Sequence, residues 1–82
     1  MDQITPAQCR AARALIGWSQ YDLEAKSRVA QKTIADFEQA KRDPRADTLE
    51  RLQSALEAGG VEFVPENGGG PGVRLAKKKG KR

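Results

Sequence analysis

The stretch "LEAKSRVAQKTIADFE", residues 23–38, decides how the chain folds. Its apolar frame is Leu23, Val29, Ile34 and Phe37, with the last two three apart on one helical face. That pattern predicts two short helices joined by a tight turn, with these four side chains turned inward. The later helix runs over roughly 30–38 and turns Gln31, Lys32, Ala35 and Asp36 outward. One position departs from the pattern. The turn residue, where glycine is favoured, is Arg28.

Working outward, the flanks supply helix signals at regular intervals. "TPAQCRAARALIGW", residues 5–18, begins with Thr5 as a cap and Pro6 at the first helical position, and Gly17 ends the helix after Ile16. "SQYDLEAKS", residues 19–27, starts a second helix with Ser19 as cap and Asp22 at its third position, where an acid suits the helix dipole. "QAKRDPRAD", residues 39–47, reads as a loop in which Pro44 breaks the helix and Asp47 caps the next. "TLERLQSALEAGG" follows, with a stripe of Leu49, Leu52 and Leu56 and a stop at Gly59-Gly60. One stripe of this length belongs to a core and is too short for a coiled coil.

After Gly60 the period changes. "VEFVP" (61–65) and "GVRLA" (72–76) read as strands, separated by a glycine-rich connection, "ENGGGPG". Two strands alone are marginal in water, so the hairpin is expected to pack on the helices or on a second subunit. An open strand edge is one route to a dimer. The expected organisation is mainly α: a four-helix domain over 1–60, a β-hairpin over 61–76 and a disordered basic tail over 77–82.

Composition narrows the function. The chain has 82 residues, enough for one small domain, and no apolar run near the roughly 18 residues that a membrane-spanning helix needs. A cytoplasmic protein of bacterial type is expected, with no membrane association. Histidine is absent and Cys9 is the sole cysteine. The common nucleophile–base pairs, cysteine zinc sites and an intramolecular disulfide are thereby removed. The sequence predicts no enzyme, no cofactor, no metal site and no small-molecule substrate. "GGGPG" lacks the following helix and Gly-Lys-Ser/Thr ending of a phosphate loop.

The net charge of +4 comes from the end of the chain. "KKKGKR", residues 77–82, holds five basic residues; without them ten Lys and Arg face eleven Asp and Glu, leaving −1 over residues 1–76. DNA affinity in the folded part must come from the placement of charge, not its sum. The tail itself reads as a solvated end, a source of non-specific DNA attraction, or an expression artefact.

Two helices joined by a turn of three or four residues form a helix-turn-helix unit, whose second helix is left free for the major groove. Gln and Lys on its outer face can read base edges or grip phosphates. "GWSQYDLEAKSRVAQKTIADFEQAKRDPRADTLERLQSAL", residues 17–56, resembles the Cro/CI-type (XRE) helix-turn-helix regulators. The resemblance spans roughly residues 4–58 and rests on Ser19-Gln20, Leu23, Val29, Thr33-Ile34, Phe37-Glu38, Pro44, Thr48-Leu49, Leu52 and Ala55-Leu56. It implies a compact helical domain that binds double-stranded operator DNA as a homodimer, and a stand-alone transcriptional regulator, repressor or otherwise.

Residue by residue, the resemblance implies that Gln20 bonds a phosphate, that Gln31, Lys32 and Asp36 face base edges, and that Thr33 lies at the groove wall. Lys41, Arg42 and Arg45 would contact the phosphate backbone. Arg13 and Glu38 resemble the family's internal ion pair between helix one and the end of helix three, with a phosphate contact as a second role for Arg13. Three places depart from the family: Glu24 stands for a small Ala, Arg28 for the turn Gly and Ala30 for a capping Ser or Thr. Glu24 either pairs with a nearby Lys or Arg or sets a charge near DNA. That acid, Asp36 and the apolar hairpin motivate an alternative, a protein-binding modulator: an antiactivator that sequesters a regulatory protein partner, or an antitoxin. Of the remaining residues, Cys9 reads as a small buried hydrophobe, Trp18 as the core's edge and Tyr21 as half-exposed surface.

Overall fold

The computed structural model describes residues 3–66 and 68–77. Four helices, α1 (Pro6–Ile16), α2 (Gln20–Ser27), α3 (Gln31–Glu38) and α4 (Ala46–Ala58), precede the strands β1 (Val61–Val64) and β2 (Gly72–Leu75). The expected mainly α fold with a following hairpin is the one observed. Residues 78–82 of the tail lie outside the described residues.

The helix starts follow the capping chemistry. Thr5 accepts from the Gln8 backbone while the Gln8 side chain accepts from the Thr5 backbone, a complete capping box. Ser19 and Asp22 repeat the arrangement at α2. The sequence places the α4 cap at Asp47, but the helix begins earlier. Asp47 lies inside its first turn, and the capping position is Arg45, whose side chain makes no capping bond. As the first-turn acid of α4, Asp47 still suits the positive end of the helix dipole.

The helix ends hold the larger surprise. Gly17 closes α1 in the left-handed conformation, φ 72°, as a glycine there should. Arg28 closes α2 in the same conformation at φ 63°, and its N–H bonds the Glu24 carbonyl at 2.8 Å. After α3 the turn is made by Ala40, φ 60°, with Ala40 N–H on the Phe37 carbonyl and Lys41 N–H on the Asp36 carbonyl. This is the Schellman pattern. α3 therefore ends at Glu38, as the expected span of roughly 30–38 has it, through a backbone turn that contains neither glycine nor proline, and Pro44 lies in the loop beyond.

Leu23, Val29, Ile34 and Phe37 are buried as expected, and with Leu49, Leu52 and Leu56 they form the centre of one core. Ile4, Cys9, Ala12, Ala55, Val61 and Phe63 complete it, and Ile16, Trp18 and Val73 pack at its margin. Each fully buried Leu, Ile, Val or Phe contributes on the order of 1.5–3 kcal/mol, so this frame tolerates imperfect turn chemistry around it.

The hairpin is antiparallel, with Val61 opposite Leu75 and Val64 opposite Gly72. Its inward residues Val61 and Phe63 reach the core, and β1 lies against α4 while β2 lies against α1. Gln8 fastens the far end: its Nε2 donates to the carbonyls of Gly72 (3.0 Å) and Val64 (3.4 Å). A single buried glutamine thus caps α1 and holds the hairpin to it.

Candidate nucleic-acid interface

The chain between Ser19 and Arg45 builds one face. α2 buries Leu23, the turn buries Val29, and α3 buries Ile34 and Phe37. With that side committed to the core, the start of α3 and its opposite side are left outward. Lys32 is the most exposed residue there, its side chain 82% accessible. Gln31, Thr33 and Ala35 are half-buried.

Asp36 is less outward than its spacing suggests. Its side chain is only 14% exposed, and Oδ1 lies 3.2 Å from Lys32 Nζ one turn earlier. The pair neutralises two charges on α3. Unpaired positive charge is more plentiful in the loop between α3 and α4, where Lys41 and Arg42 are exposed beside Asp43 and Arg45 is exposed further on. Arg45 lies 3.7 Å from Asp47, but both side chains are largely solvated and the contact is worth little.

Behind this face runs a chain of hydrogen bonds. Arg13 Nη2 and Nε donate to Glu38 Oε1 and Oε2 at 2.6 and 2.7 Å. Gln20 Nε2 donates to Glu38 Oε1 at 3.0 Å, and Gln31 Nε2 donates to Gln20 Oε1 at 2.8 Å. Gln20 and Gln31, read from the sequence as separate contacts, are thus joined to each other and to the buried acid. Cys9 Sγ donates to Glu38 Oε2 at 3.2 Å, and Arg10 Nη1 bonds the Glu38 carbonyl at the end of α3.

These contacts set the ionisation of the cluster. Burial opposes the charge on Glu38, but bonds from Arg13, Gln20 and Cys9 outweigh it and hold the carboxyl below its ordinary range. Cys9 moves the other way: burial first, then the neighbouring Glu38 charge, push the thiol well above its usual value, so it stays protonated and inert. The hydrogen bond to Glu38 raises the Arg13 guanidinium further.

Arg10 carries no motif that would single it out, and Gln8 is marked only by the Thr5-x-x-Gln8 capping spacing; their long-range partners are a helix-end carbonyl and two strand carbonyls far away in sequence. Glu24 is half-buried and forms no ion pair among the described residues, so its expected partner is not found. Tyr21 is 66% exposed, near Gln20 at the start of α2. Among the described residues no cluster of three potential metal ligands occurs, and no helix is long and apolar enough to cross a membrane.

A protein-family model described as helix-turn-helix matches residues 10–63. The match covers α2, the turn and α3 in full, together with α4 and the start of β1. No curated protein matched the sequence.

Proposed function

The chain belongs to the helix-turn-helix family, in its Cro/CI-type (XRE) form, and we propose that it is a sequence-specific transcriptional regulator reading operator DNA with α3 in the major groove. The observation that carries this reading is the division of labour on one face. Gln31 and Lys32 stand at the outward start of α3, and the exposed cations Lys41, Arg42 and Arg45 follow it. The first pair offers groups that can read base edges, and the loop offers charge for the backbone. Thr33 lines the groove wall, Asp36 meets a base edge, and Gln20 reaches a phosphate from the start of α2.

Operator recognition by this fold uses a two-fold dimer, and we assign the dimer contact to the hairpin side. Leu75 is 58% exposed on β2, whose outer edge pairs with no strand among the described residues. Leu75→Lys should lower the sedimenting mass to that of one chain if this edge joins two copies.

The functional test is selection of preferred duplexes from a random pool, followed by substitution. Gln31→Ala or Lys32→Ala should change which base is preferred at one position. Arg42→Ala should weaken binding evenly across sequences and reduce the salt slope by about one unit. If none of these changes affects binding to the selected duplex, the assignment is wrong. A pool that yields no preferred duplex, with a stable protein recovered on co-purification, would favour the antiactivator or antitoxin reading.

A further inference from the structure

Arg28 stands where the backbone asks for glycine. It closes α2 at φ 63°, a left-handed conformation that any residue with a Cβ adopts at a cost. Its N–H bonds the Glu24 carbonyl at 2.8 Å, a contact that glycine would make equally well. The side chain is exposed and forms no ion pair among the described residues. Helix dipoles do not account for an arginine here either, since the end of α2 favours a cation and the start of α3 disfavours one. In the free protein the residue brings strain and no compensating contact.

Its place on the proposed DNA face suggests where that contact lies. Val29 is buried, while Arg28 and Ala30 on either side of it are exposed, so the turn carries Arg28 outward just ahead of Gln31. α3 has eight residues and runs about 12 Å, comparable to the width of the major groove, so groups just beyond its ends face the phosphates that border the groove. Lys32 on the helix itself is paired with Asp36 at 3.2 Å. Among the described residues, cations without an acidic partner therefore stand at both ends of α3: Arg28 before it, Lys41 and Arg42 after it. We infer that Arg28 is a phosphate-binding residue, gripping the DNA backbone beside the start of α3. A guanidinium suits the task because it stays charged and offers paired donors to phosphate oxygens. Arg28 thus lowers the stability of the free protein and raises its affinity for DNA of any sequence.

This contact rests on the DNA-reading role proposed above, and the test separates the two. In the full-length protein, Arg28→Gly should raise Tm by up to roughly 8 °C. It should nonetheless weaken binding of the selected duplex about fivefold and reduce the salt slope by about one unit, with base preference unchanged at every position. Arg28→Lys should keep the slope. Arg28→Gln, which leaves a side chain in the left-handed turn without its charge, should lose slope as Arg28→Gly does.

A second readout locates the contact. Methylphosphonate groups, each removing one phosphate charge, are placed singly along the selected duplex. One position should weaken the wild-type protein about fivefold and leave Arg28→Gly unaffected. It should differ from the position whose effect disappears in Arg42→Ala. The inference is overturned if Arg28→Gly binds with wild-type affinity and slope, if Arg28→Lys loses the slope, or if every replacement weakens wild type and Arg28→Gly alike. Arg42→Ala tells the two failures apart. A slope lowered by Arg42→Ala but not by Arg28→Gly sinks this contact alone, whereas a pool that yields no preferred duplex removes the regulatory reading and the contact with it.

Discussion

Arg13 and Glu38 are joined by two parallel hydrogen bonds, Nε to Oε2 at 2.7 Å and Nη2 to Oε1 at 2.6 Å, across the interface between α1 and the last residue of α3. Glu38 is almost wholly buried and Arg13 only partly, so removing the arginine strands a charge with Gln20 and Cys9 as its remaining side-chain partners. Arg13→Ala should cost about 3 kcal/mol, read as a lower urea midpoint at unchanged slope.

The pH dependence of that pair has a definite sign. The Glu38 carboxyl sits below its unfolded value of about 4.3, so its contribution is fully present above that pH and is lost as pH falls through the folded value. In Arg13→Ala, burial should dominate and raise the carboxyl above the unfolded value. Acidification toward pH 4 should then stabilise the variant, in contrast to the wild type. Urea midpoints of both proteins across pH 3.5–7 would show the two trends cross or run parallel; parallel trends would refute the assignment.

Two residues sit in left-handed backbone where glycine costs less, Arg28 at φ 63° and Ala40 at φ 60°. Arg28→Gly and Ala40→Gly should each stabilise the protein by up to about 1 kcal/mol. At the start of α3, Ala30 makes no side-chain capping bond, and Ala30→Ser should add about 1 kcal/mol. For a domain of this size each kcal/mol raises Tm by roughly 4–8 °C, readable by thermal unfolding.

Gly59 and Gly17 should respond to alanine for different reasons. A Cβ on Gly59 would stand 2.8 Å from two atoms of the Trp18 ring and 2.9 Å from Ile16 Cδ1, with no backbone objection. A Cβ on Gly17 meets nothing within 4 Å, but φ is +72°. Both should lose about 1 kcal/mol. Shrinking Trp18 to Leu should relieve the part of the first that comes from the ring, leaving the Ile16 contact, and should leave the second unchanged, as a double-mutant comparison of Tm would reveal.

Much of the fold was legible because its signals are local. Thr5-Pro6, Ser19-Asp22 and Gly17 act within three or four residues of themselves, and the apolar spacing from Leu23 to Phe37 needs no partner to be read. The end of α3 near residue 38 was legible, but the turn that closes it was not: Ala40 adopts its left-handed conformation because Phe37 and Lys41 are fixed by packing and backbone bonds, not because alanine favours it. Asp47 illustrates the opposite limit, since an acid suits a cap and a first turn equally well. At the site, the resemblance supplied Gln20, Gln31 and the Arg13–Glu38 pair separately. Their connection into one directed chain depends on atoms 11 to 25 residues apart in sequence, which no spacing rule reaches.

The central claim is that the folded helices, and not the basic end of the chain, choose the DNA. Fluorescence anisotropy should compare the full chain with one ending at Ala76, each titrated with the selected duplex and a scrambled duplex of equal length at several salt concentrations. The expected result is that the shortened chain keeps its preference for the selected duplex while losing some non-specific affinity. Equal, salt-sensitive binding to both duplexes that disappears with residues 77–82 would contradict it.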